Sequence, residues 1–187
     1  QITSRWTNSN GYESATTLGI TRSNITFVGT GKDTTTILGG FGIENVENIT
    51  FKNMTVTNTS HNGSNNGSGI RMRNAKVELI DVALKGCTQF ALYVPASTSE
   101  TSVVATRCEF ANCSCGAVVA GSLTSCKFNN CVFNDNENIG IEGSDSSTIH
   151  LHGETTAIHS NGNDGIVVYS SCKVIIHLPS HHNTSYN

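Results

Sequence analysis

Three histidines late in the chain combine a residue type and a spacing that suit metal chemistry. In the run Thr148-Ile149-His150-Leu151-His152, strand alternation turns Ile149 and Leu151 inward and both histidines outward on one face. His177 follows His152 at the length of a repeat described below, so it falls in the same column one unit later. Imidazoles clustered in this way suit a divalent transition metal. The plainer expectation for His150, His152 and His177 is a surface histidine stripe with no ligand and no cofactor. His181 and His182 lie just past the last strand, and Glu154 is close in sequence.

A second pair, Asp81 and Arg107, occupies equivalent places in successive repeat units. Facing each other at the inter-strand spacing, they are expected to form an exposed ion pair of small energetic value. If the chain is an enzyme, these are the residues to suspect. The acids offer little else: Asp33, Asp81, Asp135, Asp145 and Asp164 fall at different offsets, so no two share a column, and Glu78 and Glu109 read as solvated. Glycoside hydrolysis needs two carboxyls held about 5–9.5 Å apart.

The elements that must position these residues follow from a repeat. ITFKNMTV from Ile49 has relatives at Ile25, Val77, Val103, Cys126, Leu151 and Ile176. A recurrence every ~25 residues is a solenoid period. Within a unit, apolar or small residues stand at offsets 0, 2, 5 and 7, as in Ile49, Phe51, Met54 and Val56. Alternation by two with one three-residue step means two short strands joined by a tight bend. A third strand follows in the second half of each unit, in GIRMR from Gly69, ALYV from Ala91, GAVV from Gly116, GIEG from Gly140 and GIVV from Gly165. Apolar stripes of helical spacing are lacking. The expected fold is all-β, a parallel β-helix of about seven coils with three short strands each, a rod roughly 30 Å long at ~4.8 Å per coil.

These repeats, and the opening run VGTGKDTTTIL from Val28 to Leu38, resemble the right-handed parallel β-helix superfamily of pectate lyases, polygalacturonases and pectin methylesterases. The resemblance covers about residues 18–178, and it implies a right-handed coil. It implies a fold more sharply than a function. The superfamily's alternative activity would be polysaccharide lysis, hydrolysis or epimerisation, with Arg107 as proton-abstracting arginine. Calcium-binding carboxylates beside it are missing. The Asn-Thr-Asp, Asp-Asp and Gly-His-Gly set of polygalacturonases and the Asp-Pro-His-Glu run of alginate epimerases do not occur. A glycine-rich GTGKDT turn without Walker spacing or a following helix is not a phosphate loop.

Composition fits one domain over residues 1–187: a polar lead-in or cap at 1–17, coils at 18–178 and a tail at 179–187. Only 13% of residues are charged and the net charge is −3, which excludes a nucleic-acid footprint. No apolar run reaches the ~20 residues of a membrane span. Of the seven cysteines, Cys126 at an anchor, Cys108 and Cys131 at offset 5, and Cys87 and Cys113 at offset 10 fall in inward columns. They read as buried small hydrophobes in ladders, with a Cys108–Cys131 bridge geometrically open. Asn136 and Asn161 share the offset-10 column and are expected to stack as a hydrogen-bonded ladder. Insertion of TSHNGSNNGSG at 59–69 is expected to bulge as a surface loop with His61 as its titratable group.

Eight Asn-x-Ser/Thr sequons, at Asn24, Asn48, Asn53, Asn58, Asn62, Asn66, Asn112 and Asn183, tilt localisation toward a secreted or extracellular, glycosylated protein. Gln1 in place of Met, and a last coil with no evident cap, suggest a larger parent chain or end-to-end association. The expected function is a non-catalytic structural, adhesive or carbohydrate-binding module, with a polysaccharide or glycan as partner. The aromatics Trp6, Tyr12, Tyr93, Tyr169 and Tyr186 look scattered. An ice-binding role would need a regular threonine column, and offset 8 carries Asp33, Thr57, Lys85, Ala111, Asn134 and His159 instead.

Overall fold

A computed structural model describes residues 6–7, 11, 13–14, 16–60, 67–177 and 184–186. Parallel strands stack in register along its length. One sheet has seven strands, from Thr17–Ile20 through Gly40–Glu44, Ile70–Arg73, Phe90–Val94, Cys115–Ala120 and Ile139–Ser144 to Asp164–Val168. The chain thus completes six turns between the first and last of these seven strands. A twelve-stranded sheet carries the other two strands of each coil, fused into single long strands at Ile49–Thr57 and Lys76–Lys85. The only antiparallel pair among the described strands joins Trp6–Thr7 to Glu13–Ser14, inside the expected lead-in.

Three corners per coil keep the strands short. At the first, Asn53, Asp81, Arg107 and Asn130 take φ of 55°, 53°, 54° and 53°, and Gly153 takes 92°. Left-handed backbone reverses the alternation by one residue and produces the three-residue step read in the sequence. Glycine suits this position on φ, and a Cβ at Gly153 would meet the Asn130 side-chain amide and displace it.

The core is a narrow apolar column bounded by these sheets. Ile49, Phe51, Val56, Leu79, Val82, Leu84, Phe110, Phe128 and Phe133 are all fully buried. Phe27 stacks on Phe51 with centroids 4.9 Å apart, and Phe110 stacks on Phe133 at 4.7 Å while Phe128 meets Phe133 edge-on. Coils repeated in register bring like side chains above one another, which is why the aromatic rings pair.

The register corrects two assignments. Cys126 pairs with Ile149, and Ile149 with Val174, so the sixth and seventh anchors are Ile149 and Val174 rather than Leu151 and Ile176. Asn129 and Val132 are three residues apart, whereas their partners His152 and Ala157 are five apart; the corner at Gly153–Thr156 holds two extra residues. Similarly Leu38, not Asp33, faces Thr57. Lys52 and Thr55 are three apart where Val28 and Thr36 are eight apart, so the GTGKDTT run protrudes. The two extra residues at Gly153–Thr156 preserve strand parity, so the outward face of His150, His152 and His177 stands as read. The five extra residues of the GTGKDTT run do not, and Ile37, twelve residues after Ile25, takes the place opposite Val56, which is seven after Ile49.

One buried column closes the second corner. Cys87 N–H donates to Cys113 Sγ at 3.3 Å, Cys113 N–H to Asn136 Oδ1 at 3.1 Å, and Asn136 N–H to Asn161 Oδ1 at 3.2 Å. Each residue thereby satisfies the backbone of the coil before it. All seven cysteines are free thiols, six of them buried and Cys172 half-buried, so the geometrically open bridge between Cys108 and Cys131 is not formed. Burial pushes the Cys126 thiol up, well above its ordinary value. Residues 61–66 of the expected loop, with His61, Asn62 and Asn66, and also His181, His182 and Asn183 of the tail, lie outside the described residues.

Candidate metal centre

Strand Thr148–His152 alternates between half-buried and buried residues, so His150 and His152 stand outward on either side of buried Leu151. Strand Lys173–His177 lies beside it in parallel, with Ile175 opposite His150 and His177 opposite His152. In-register pairing alone places two imidazoles at the inter-strand distance. Their rings stack with centroids 3.9 Å apart and planes 6° from parallel. His150 then leans toward the neighbouring strand, bringing its Nδ1 to 3.1 Å from His177 Nε2. One nitrogen from each of the three rings lies within 4.8 Å of the others, and this is the only such group of three His, Cys, Asp or Glu ligands among the described residues.

The backbone under the rings is fixed. Asn130 N–H donates to the His152 carbonyl at 2.8 Å, and Asn130 Oδ1 receives the backbone N–H of Thr155 at 3.3 Å and its hydroxyl at 3.1 Å. Partial burial, then His177 and Lys127 as neighbouring positive charges, hold His150 and His152 below the ordinary imidazole pKa. These two rings therefore stay neutral and keep lone pairs free to lower pH than an isolated histidine would.

Asp81 and Arg107 also meet. Arg107 Nε donates to Asp81 Oδ1 at 2.8 Å and its second terminal nitrogen to Oδ2 at 2.7 Å, a two-pronged pair at the surface corner. The guanidinium holds the Asp81 carboxyl below its usual range, and the carboxylate raises Arg107 further above its own. Lys32 Nζ donates to the Arg107 carbonyl at 3.3 Å. A shallow cleft of about 340 Å³ opens here, lined by Lys32, Arg107, Glu109 and Asn130 among others, and Glu109 is its one carboxylate. Glu109 itself stands 4.0 Å from Lys85 Nζ.

The family model described as "Right handed beta helix region" matches residues 39–185. The chain belongs to the right-handed β-helix family. Comparison with curated proteins and with solved structures returned no match. Handedness also agrees with the rule that parallel strands in one sheet are joined by right-handed crossovers.

On this β-helix one surface feature escapes the sequence reading. Tyr93 pairs with Arg71 across the seven-stranded sheet, the Arg71 guanidinium lies 5.4 Å from the Tyr93 ring centroid, and the Phe90 ring is 5.0 Å from the same ring. All three are half-buried. Tyr93 lies between buried Leu92 and Val94, which marks it as outward. Its partner Arg71 belongs to the preceding coil, two residues into GIRMR as Tyr93 is two residues into ALYV, so the strand alignment places the pair while the contact of guanidinium and rings appears only in the structure.

The β-helix also sorts the sequons. Asn24, Asn48 and Asn112 are exposed and Asn53 is half-buried. Asn58 is 1% exposed, and its side-chain amide donates to Ser68 O at 2.8 Å. A glycan on Asn58 is incompatible with that coil.

Proposed function

We propose that this β-helix is a non-catalytic module, an adhesive or carbohydrate-binding rod of a secreted or surface protein, rather than a lyase, hydrolase or epimerase. The observation that carries the reading is the two-pronged Asp81–Arg107 pair. An arginine that abstracts a proton must give up its own charge, and a carboxylate held on two of its nitrogens opposes that. The adjoining cleft has Glu109 as its only carboxylate, one short of the pair that glycoside hydrolysis uses. Binding is supported by the Arg71, Phe90 and Tyr93 surface: an aromatic face takes the apolar face of a sugar ring and a guanidinium takes its hydroxyls or carboxylate.

The test is a glycan array combined with polyuronate degradation, with and without calcium and zinc. Binding without turnover, weakened by Tyr93→Ala, is the expected result. Unsaturated products or new reducing ends would overturn the non-catalytic reading. Absence of both binding and turnover would refute the carbohydrate-binding part and leave a structural rod.

A further inference from the structure

We propose that His150, His152 and His177 form a three-nitrogen site for one divalent transition metal ion, which fastens the strand Lys173–His177 to the coil before it. The ligands come from two adjacent coils, two from Thr148–His152 and one from Lys173–His177. A metal held by all three is therefore a cross-coil link.

The geometry is close to what such an ion needs. Zinc–imidazole bonds of ~2.0–2.1 Å in a tetrahedron set ligand nitrogens about 3.3 Å apart. His150 Nδ1 and His177 Nε2 already stand 3.1 Å apart, and all three donor atoms lie within 4.8 Å. Side-chain rotation of His152 closes the remaining gap, while the paired strands hold the three Cα positions. The rings are half-buried at His150 and His152 and exposed at His177, leaving a fourth position open to water or a small anion. Lys127 pairs with His150 on the preceding coil, so an anion is the better fourth ligand.

An all-nitrogen donor set selects among metals. Imidazole suits zinc, copper and nickel, while calcium and magnesium require oxygen ligands. The location gives the link a consequence. Ile175 and Ile176 on the same strand are 39% and 44% exposed, so apolar burial secures this strand less than the inner ones, and a metal bond adds to a weakly held pairing. Metal binding here does not depend on glycan binding at Arg71, Phe90 and Tyr93.

The test uses the full chain and the metal ions alone. Zinc and nickel titrated by calorimetry, and cobalt followed by its visible absorption, are expected to show one saturable site. Unfolding temperature is expected to rise with zinc and to be unmoved by calcium or magnesium. His150→Ala, His152→Ala and His177→Ala should each weaken zinc binding by more than the ~10- to 100-fold typical of losing an outer-shell partner. His159→Ala, on the separate strand Ala157–His159, should not. Far-UV circular dichroism of the metal-free variants checks that each is folded. If a variant is not, protection of the wild-type histidines from diethylpyrocarbonate by zinc replaces it. Binding that survives His152→Ala, several weak sites without saturation, or no binding at all would each overturn the proposal.

Discussion

The side-chain oxygen of Asn161 accepts the backbone N–H of Asn136 at 3.2 Å and the Asn136 side-chain amide at 2.8 Å. Asn136 passes the interaction on, donating to Phe110 O at 3.1 Å and accepting the Cys113 N–H at 3.1 Å. One side chain thus ties polar groups of three coils together in a dry corner. Asn136→Ala leaves the Cys113 N–H and the Phe110 carbonyl without these partners, and each buried orphan costs ~1–3 kcal/mol. Urea unfolding should show a loss of at least that size. A loss under ~0.5 kcal/mol, below the usual net worth of a single hydrogen bond, would mean that water replaces the amide freely.

Phe128 is fully buried and meets Phe110 and Phe133 edge-on at 5.4 and 5.0 Å. Phe128→Ala should lower stability by about 3–5 kcal/mol, the range for emptying an aromatic site in a packed core. Phe128→Leu should lose less, because it keeps more of the volume. Equal losses for the two variants would show that the ring geometry, rather than the space, matters.

The Asp81–Arg107 pair is exposed, with side chains 32% and 56% accessible, so salt screens it. Its pH dependence has a definite sign. Asp81 is depressed in the folded chain below its usual 3.8, so the pair's contribution is complete above that value and disappears as pH falls toward the lower folded one. The stability difference between wild type and Asp81→Asn should be small at pH 7, shrink with added salt, and diminish as pH falls below 3.8. A difference that does not change with acid and persists in molar salt would assign the corner to backbone effects at φ 53°.

Thiol reactivity should follow exposure. Cys172 is half-buried, whereas the other six cysteines are buried, and the thiolate is the reacting form. Ellman's reagent on the native chain should label Cys172 first and the others only on unfolding. Rapid labelling of Cys108 or Cys131 would mean that the corner at Arg107 opens.

Much of the fold is legible from pattern. Strand parity counted from the repeat survives an even change of corner length, such as the two residues added at Gly153–Thr156. His150, His152 and His177 therefore fall on the outer face by pattern alone, even though the sixth and seventh anchors read two residues late. Cys87, Cys113, Asn136 and Asn161 share one column because the second half of the sixth coil keeps the repeat length of its neighbours. Inserted residues at Gly153–Thr156 and in the GTGKDTT run carry no apolar periodicity, so their lengths have no visible boundary.

A parallel β-helix follows from the sequence, because a period of ~25 residues with apolar pairs at 0, 2, 5 and 7 can be buried only by stacking coil on coil. So does the choice of outward residues, since a strand has two faces and one of them must be the core. Which outward residues meet is settled by the three-dimensional fold. Leu38 rather than Asp33 lies opposite Thr57, and Lys127 lies opposite His150, where an anchor at Leu151 would have set it against His152. Those pairings depend on how many residues each corner absorbs, and corners are held by local hydrogen bonds and left-handed backbone that leave no periodic mark.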